Sequence, residues 1–159
     1  MDVIKNNVAG LNGLQQLRAL IDAGTPPPIG ITMGFTLVEI EEGRAVFQGR
    51  PDGSVYNPIG SVHGGYAATL LDSACGCAVH SRLSAEQGYT TLELKVAYHR
   101  PLSDLSGTVR AEGRVMSLGR RAAFAEATLT DENGRLCASA TSTLLVFEVQ
   151  RRTAPAEPA

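Results

Sequence analysis

Residues 57–72 read NPIGSVHGGYAATLLD, and the reading of this stretch decides the fold. Asn57-Pro58 is a turn signal, because a residue before proline is driven away from the helical region. His63-Gly64-Gly65 then leads into a helical pattern. Ala67, Leu71, Ala74, Cys75 and Ala78 recur at i, i+4, i+7, i+8 and i+11, which is the spacing of one helix face. Tyr66, Leu70 and Val79 widen that face. The pattern predicts a helix from Gly64 to about Leu83, buried on most sides. Asp72 sits in the middle of it and is the only formal charge between Asp52 and Arg82.

Outward from this segment the pattern changes. Upstream, residues 10–24 carry Leu11, Leu14, Leu17, Ala19, Leu20 and Ile21 at helical spacing, closed by Gly24 and a stiff Pro26-Pro27-Pro28 connection. ITMGFTLVEI and RAVFQGR predict two strands joined by a turn at Gly43, and PDGSVYNPIG predicts a loop. Downstream, Leu92, Leu94, Val96 and Tyr98 alternate with Glu93, Lys95 and Ala97. GTVRAEGRVMSLG, RRAAFAEATLTD and RLCASATSTLLVFEV predict three more strands, the last two joined at Asn133-Gly134. The order is helix, two strands, loop, buried helix, four strands. It predicts an α+β domain: a long antiparallel sheet wrapped around one apolar central helix, with an extra N-terminal helix. Small residues on the central helix permit the close approach this requires.

Composition bounds the function. The chain has 159 residues, 43% hydrophobic and 19% charged, enough for one domain with its own core. A net charge of −2 and aromatics at 5% give no footing for nucleic acid or an anionic membrane. No run of about 18 apolar residues suggests a membrane span, and no signal-peptide pattern is present. Three cysteines make a poor disulfide framework and fit a reducing cytoplasm. Cys75 and Cys77 diverge by about 200° on a helix, so they read as small buried residues rather than a ligand pair. The three histidines, His63, His80 and His99, have no ligand spacing, so no metal is expected. His80 falls near the helix C-terminus, where a cation is favoured.

The candidate site follows from Asp72 and the helix start. Ala68, Thr69, Cys75 and Gly76 lie one turn from Asp72, and none is a cation. An acid with room beside it and no local counter-ion suits base chemistry. The first N–H groups of a helix lack internal partners, and glycine lets a ligand approach them. Gly64 at that position can hold a carbonyl oxygen and stabilise an oxyanion. The Asn57 amide is placed to orient a carbonyl or a water. Thr91, or Thr90 beside it, is placed to hold a water.

NPIGSVHGGYAATLLD, TTLELKVAYHRPL and SLGRRAAFAEATLTDENGRLCASATSTLLVF together resemble the hotdog-fold acyl-CoA thioesterases, of the phenylacetate-degradation (PaaI) type, over roughly residues 30–148. The resemblance implies a hotdog domain over residues 29–149; the helical spacing and prolines before it give an N-terminal helix and connection over 1–28, and composition marks the polar tail over 150–159 as disordered. It implies an acyl-CoA substrate, with CoA as part of the substrate and no separate cofactor. It implies a homodimer with active sites at the interface, assembling further into a homotetramer. By matching position, Asp72 is the general base or nucleophile and the Gly64 N–H polarises the thioester carbonyl. Asn57 lies beside that carbonyl or the water, His63 supports the site, and Thr91 helps hold the water. Asn57, His63 and Gly64 come from one subunit, Asp72 and Thr91 from the other. Arg120 and Arg121 suit the CoA phosphates, as guanidinium groups do. Phe35, Tyr66 and Leu92 are expected in the pocket wall. The competing expectation is a non-catalytic dimer binding acyl-CoA or a related acyl ligand on the same fold; a hotdog dehydratase needs a different His-and-acid arrangement.

Overall fold

The computed structural model describes residues 10–149. The expected tail, 150–159, lies outside them. Helix α1 spans Gly13–Asp22. It starts there because Asn12 and Gln15 form a reciprocal capping box: each side chain accepts the other's backbone N–H at 3.0 Å. A short α2, Pro28–Met33, follows. Six strands are β1 (Phe35–Glu41), β2 (Arg44–Gly49), β3 (Gln87–Tyr98), β4 (Val109–Leu118), β5 (Ala122–Thr130) and β6 (Leu136–Glu148). The central helix α3 spans Gly64–His80.

The strands form one antiparallel sheet in the order β1-β2-β4-β5-β6-β3. Helix α3 lies on its inner face. In β5 the alternation is strict: Ala123, Ala125, Ala127 and Leu129 point in, while Phe124, Glu126 and Thr128 point out. Leu70 and Leu71 of α3 are fully buried between helix and sheet, each contributing roughly 1.5–3 kcal/mol. The two layers touch closely because both are built of small residues. A Cβ on Gly113 in β4 would overlap the Ala74 carbonyl of α3. The expected architecture is observed: a hotdog fold with a long wrapped helix and an extra N-terminal one.

Two boundaries differ from expectation. Residues 31–33, expected as strand, belong to α2, and β1 begins at Phe35. Pro28 occupies the first helical position, where its missing N–H costs nothing, and Gly34 ends the helix at φ 69°. Arg120 and Arg121 lie in the turn before β5 rather than in a strand. Helix α3 stops at His80, where the Ser81 hydroxyl donates to the Ala78 carbonyl at 2.7 Å.

Strand β3 is an edge of the sheet, hydrogen-bonded only to β6 among the described strands. Its register shifts between Thr91 and Glu93, so Leu92 bulges outward and is exposed, as is Tyr98.

Candidate active site

Helix α3 carries both halves of the expected site. At its start, His63 is the N-cap: its Nδ1 accepts the Gly65 N–H at 2.8 Å. The Gly64 N–H makes no hydrogen bond among the described residues. Tyr98, at the end of β3, donates its hydroxyl to the Gly64 carbonyl at 2.9 Å. Its ring lies so close that a Cβ on Gly64 would meet it at 3.0 Å, which is why this position is glycine. Asn57 is occupied in building its own loop. Its Oδ1 accepts from the N–H groups of Ile59 and Ser61 at 3.1 and 3.3 Å, and its Nδ2 donates to Ser61 Oγ at 3.0 Å. Gly64 and His63 border a cavity of about 330 Å³ with Tyr98, Arg100 and Leu102.

Asp72 opens elsewhere. It lies eight residues along α3 from Gly64, about 12 Å at 1.5 Å per residue. Thr91 Oγ1 donates to its Oδ1 at 2.9 Å. Successive residues of a strand face opposite ways, so Thr91 reaches Asp72 and Thr90 faces solvent. Asp72, Ser73, Cys77 and His80 line one side of a second cavity, also about 330 Å³. Leu37, Phe47 and Tyr89 line it from the sheet, and Leu17, Leu20 and Ile21 of α1 close it. Within one protomer, therefore, the acid and the helix N-terminus cannot act on one bond.

The wall differs from expectation. Phe35 and Tyr66 are 3% and 1% exposed inside the core and border neither cavity, and Leu92 projects from the β3 bulge. His80 is not a helix-end cation. Burial pushes its imidazole below the ordinary range, and it contacts Gln16 of α1 at 3.0 Å. The residues that sequence reasoning missed, Ser73, Cys77, His80, Tyr89 and the α1 leucines, meet only through tertiary packing.

The cysteines offer no nucleophile. Burial, with the Asp72 charge adding to it, pushes the Cys75 and Cys77 thiols up to about 12, so the reactive thiolate is strongly disfavoured. Tyr89 is pushed up for the same first reason, burial, and is a neutral hydroxyl. Arg120 and Arg121 are exposed. The Arg121 carbonyl accepts from Val146, which stands opposite Tyr89 of β3.

A family model described as the thioesterase superfamily matches residues 59–138. The matched segment runs from the Asn57 loop through α3 to the start of β6. The chain is also 31% identical over 121 residues to the proofreading thioesterase EntH of Klebsiella pneumoniae, covering 75% of this chain and 85% of that one. The chain belongs to the thioesterase superfamily. As a superfamily member it is a thioester hydrolase. A second thioesterase relative is the 1,4-dihydroxy-2-naphthoyl-CoA hydrolase of Listeria monocytogenes, 27% identical over 72% of this chain and 92% of that one. Among solved structures, a mutant of the phenylacetic acid degradation protein PaaI from Thermus thermophilus superposes with a TM-score of 0.68. It is 28% identical over 75% of this chain and 98% of its own. The matched model begins at residue 59, so α1, α2, β1 and β2 of this thioesterase lie outside it.

Proposed function

We propose that the protein hydrolyses acyl-CoA thioesters at a site shared by two protomers. The observation that supports this reading is the split of one helix into two half-sites: an acid held by Thr91 in one cavity, and a free amide at Gly64 in another, about 12 Å away. The outer edge of β3 supplies the means of joining them. Paired antiparallel about a two-fold axis near Leu94–Lys95, two β3 edges would bring Tyr98, and with it Gly64, beside the partner's Thr91. The exposed Leu92 and Tyr98 would be covered in that pairing. Pairs of such dimers form the proposed tetramer, in the cytoplasm.

The chemistry runs as follows. The thioester carbonyl oxygen lies at the Gly64 N–H. Asp72 takes a proton from water as the water oxygen bonds to the carbonyl carbon. The oxyanion is held by the amide and by the positive end of α3. On collapse the carbon–sulfur bond breaks, and the leaving sulfur takes the proton from Asp72, giving carboxylic acid and CoA. In the alternative route Asp72 attacks the carbon directly, expels CoA thiolate, and the resulting anhydride is hydrolysed. Asn57, whose Oδ1 and one Nδ2 hydrogen build its loop, turns its second Nδ2 hydrogen to the carbonyl or the water; His63 fixes the helix start, and Arg120 and Arg121 meet the CoA phosphates. The hydrolase relative named for a naphthoyl-CoA ester supports a CoA thioester as substrate.

The test is subunit complementation. Asp72→Asn protomers and Gly64→Ala protomers, each expected to release thiol far more slowly than wild type when expressed alone, are co-expressed and thiol release from acyl-CoA is followed. A shared site predicts recovery to about a quarter of wild-type activity: half the dimers are mixed, and each carries one intact site. No recovery, with mixed dimers shown to form, overturns the shared site. Acyl-CoA binding without thiol release by the wild type would favour a binding module instead.

A further inference from the structure

Helix α3 carries a buried glycine in its interior, Gly76, where alanine would favour the helix. A side chain from β3 explains it. A Cβ on Gly76 would stand 2.6 Å from the Tyr89 hydroxyl oxygen and 2.9 Å from the Tyr89 ring. One helix position is thus kept bare so that a hydroxyl from the edge strand reaches the helix surface.

That hydroxyl lies at the Asp72 half-site. Gly76 is one turn beyond Asp72 on the same face of α3, about 6 Å along the axis. Tyr89 and Thr91 are alternate residues of β3 and face the helix together. Thr91 reaches Asp72 with its 2.9 Å hydrogen bond, and Tyr89 reaches the next turn. Both line the cavity that Asp72 lines. The His80 ring packs on the Tyr89 ring, with centroids 5.8 Å apart, and limits its swing.

The Tyr89 hydroxyl nevertheless makes no hydrogen bond among the described residues. It is not sealed away as the Tyr66 hydroxyl is. Burial keeps it a neutral phenol, so it does not compete with Asp72 as a base. A neutral hydroxyl can accept as well as donate. A separation of about one helix turn is the span of a single water making two hydrogen bonds of about 2.8 Å.

We infer that Tyr89 is a further catalytic residue, whose hydroxyl oxygen accepts one hydrogen of the attacking water while Asp72 takes the other. This rests on the hydrolase reading and completes its water site. With both hydrogens engaged, the water keeps a lone pair for the thioester carbon. As the water oxygen bonds to that carbon, the proton facing Asp72 passes to the carboxylate and the hydrogen facing Tyr89 stays on oxygen. Thr91 orients the acid, and Tyr89 orients the water.

The experiment uses the full chain and phenylacetyl-, hydroxybenzoyl- and fatty acyl-CoA esters, following thiol release. Binding is read by calorimetry on the matching non-hydrolysable thioether. Tyr89→Phe keeps the ring and removes the hydroxyl. It is expected to lower kcat about tenfold, the scale of one hydrogen bond, with KM, thioether affinity and melting temperature near those of wild type. Tyr89→Leu combined with Gly76→Ser clears the ring and returns a hydroxyl from the helix side, on a Cβ 2.6 Å from the lost oxygen. This pair is expected to run several-fold faster than Tyr89→Leu alone, which packing by itself does not predict. An unchanged kcat in Tyr89→Phe, a loss confined to KM, or a folded double variant no faster than Tyr89→Leu overturns the proposal. Thiol release from no ester by wild type overturns the hydrolase reading, and the water site with it.

Discussion

The Thr91 hydroxyl donates to Asp72 Oδ1 at 2.9 Å, tying the middle of α3 to the edge strand across 19 residues of sequence. One carboxylate oxygen is thereby tied to the edge strand while Asp72 lines the cavity. Asp72→Asn is expected to lower kcat by at least about 10²-fold, the scale of losing a positioned acid–base group. Thr91→Val keeps the shape and loses the donor, and is expected to cost about tenfold, with Thr91→Ser close to wild type. Release of CoA thiol in single-turnover assays checks both.

Gly64→Ala is expected to lower both melting temperature and kcat, because the new methyl would stand 3.0 Å from the Tyr98 ring and displace either the ring or the helix start. Combining it with Tyr98→Ala makes room and is expected to restore part of the melting temperature. Thermal melts of the two variants, read beside their rates, separate crowding of the fold from displacement of the residue-64 amide, which alanine retains.

His80 predicts a pH dependence of stability. Burial lowers its folded-state pKa below the ordinary 6.5. The unfolded chain therefore takes up a proton that the folded chain resists, and stability is lost as pH falls through about 6.5. Melting temperature is expected to drop between about pH 7.5 and 5.5, and the slope to flatten in His80→Phe.

A second, more acidic limb comes from β1, β2 and β4. Glu39 is held down to about 2, first by its hydrogen bond to Arg110 and then by Arg44. Its stabilisation is present above the ordinary 4.5 and is lost as pH falls towards about 2. Because the Glu39 side chain is 43% exposed, solvent screening keeps the effect below about 1 kcal/mol. Glu39→Gln is expected to flatten the acid limb of a melting-temperature profile by that small amount.

Much of the fold was legible because α3 and the strands carry strong, opposite periodicities. The run of small residues on α3 matched a sheet that also presents alanines. The start of β1 was not legible: Ile31, Thr32 and Met33 have strand propensity, yet Pro28 and Gly34 bracket them as one helical turn and a half. In the site, Asp72 and Gly64 stood out since one is a lone charge and the other opens a helix. The cavity roof did not, because whether α1 covers anything depends on Gly13 meeting the His80 carbonyl 67 positions later, and no local pattern encodes that contact. His80 was misread for the same reason: its position near a helix end was visible, and its burial by another helix was not.

Gly113 reaches further than its own strand. With no side chain between β4 and the Ala74 carbonyl, it sets the height at which the central helix rides, and Asp72, two residues before Ala74, inherits that height. The reach of an acid towards its substrate is thus calibrated by an atom that is missing on a strand outside the cavity. Any replacement there, however mild chemically, would lift the whole lever, so this position is closed to gradual drift even though it never meets a ligand.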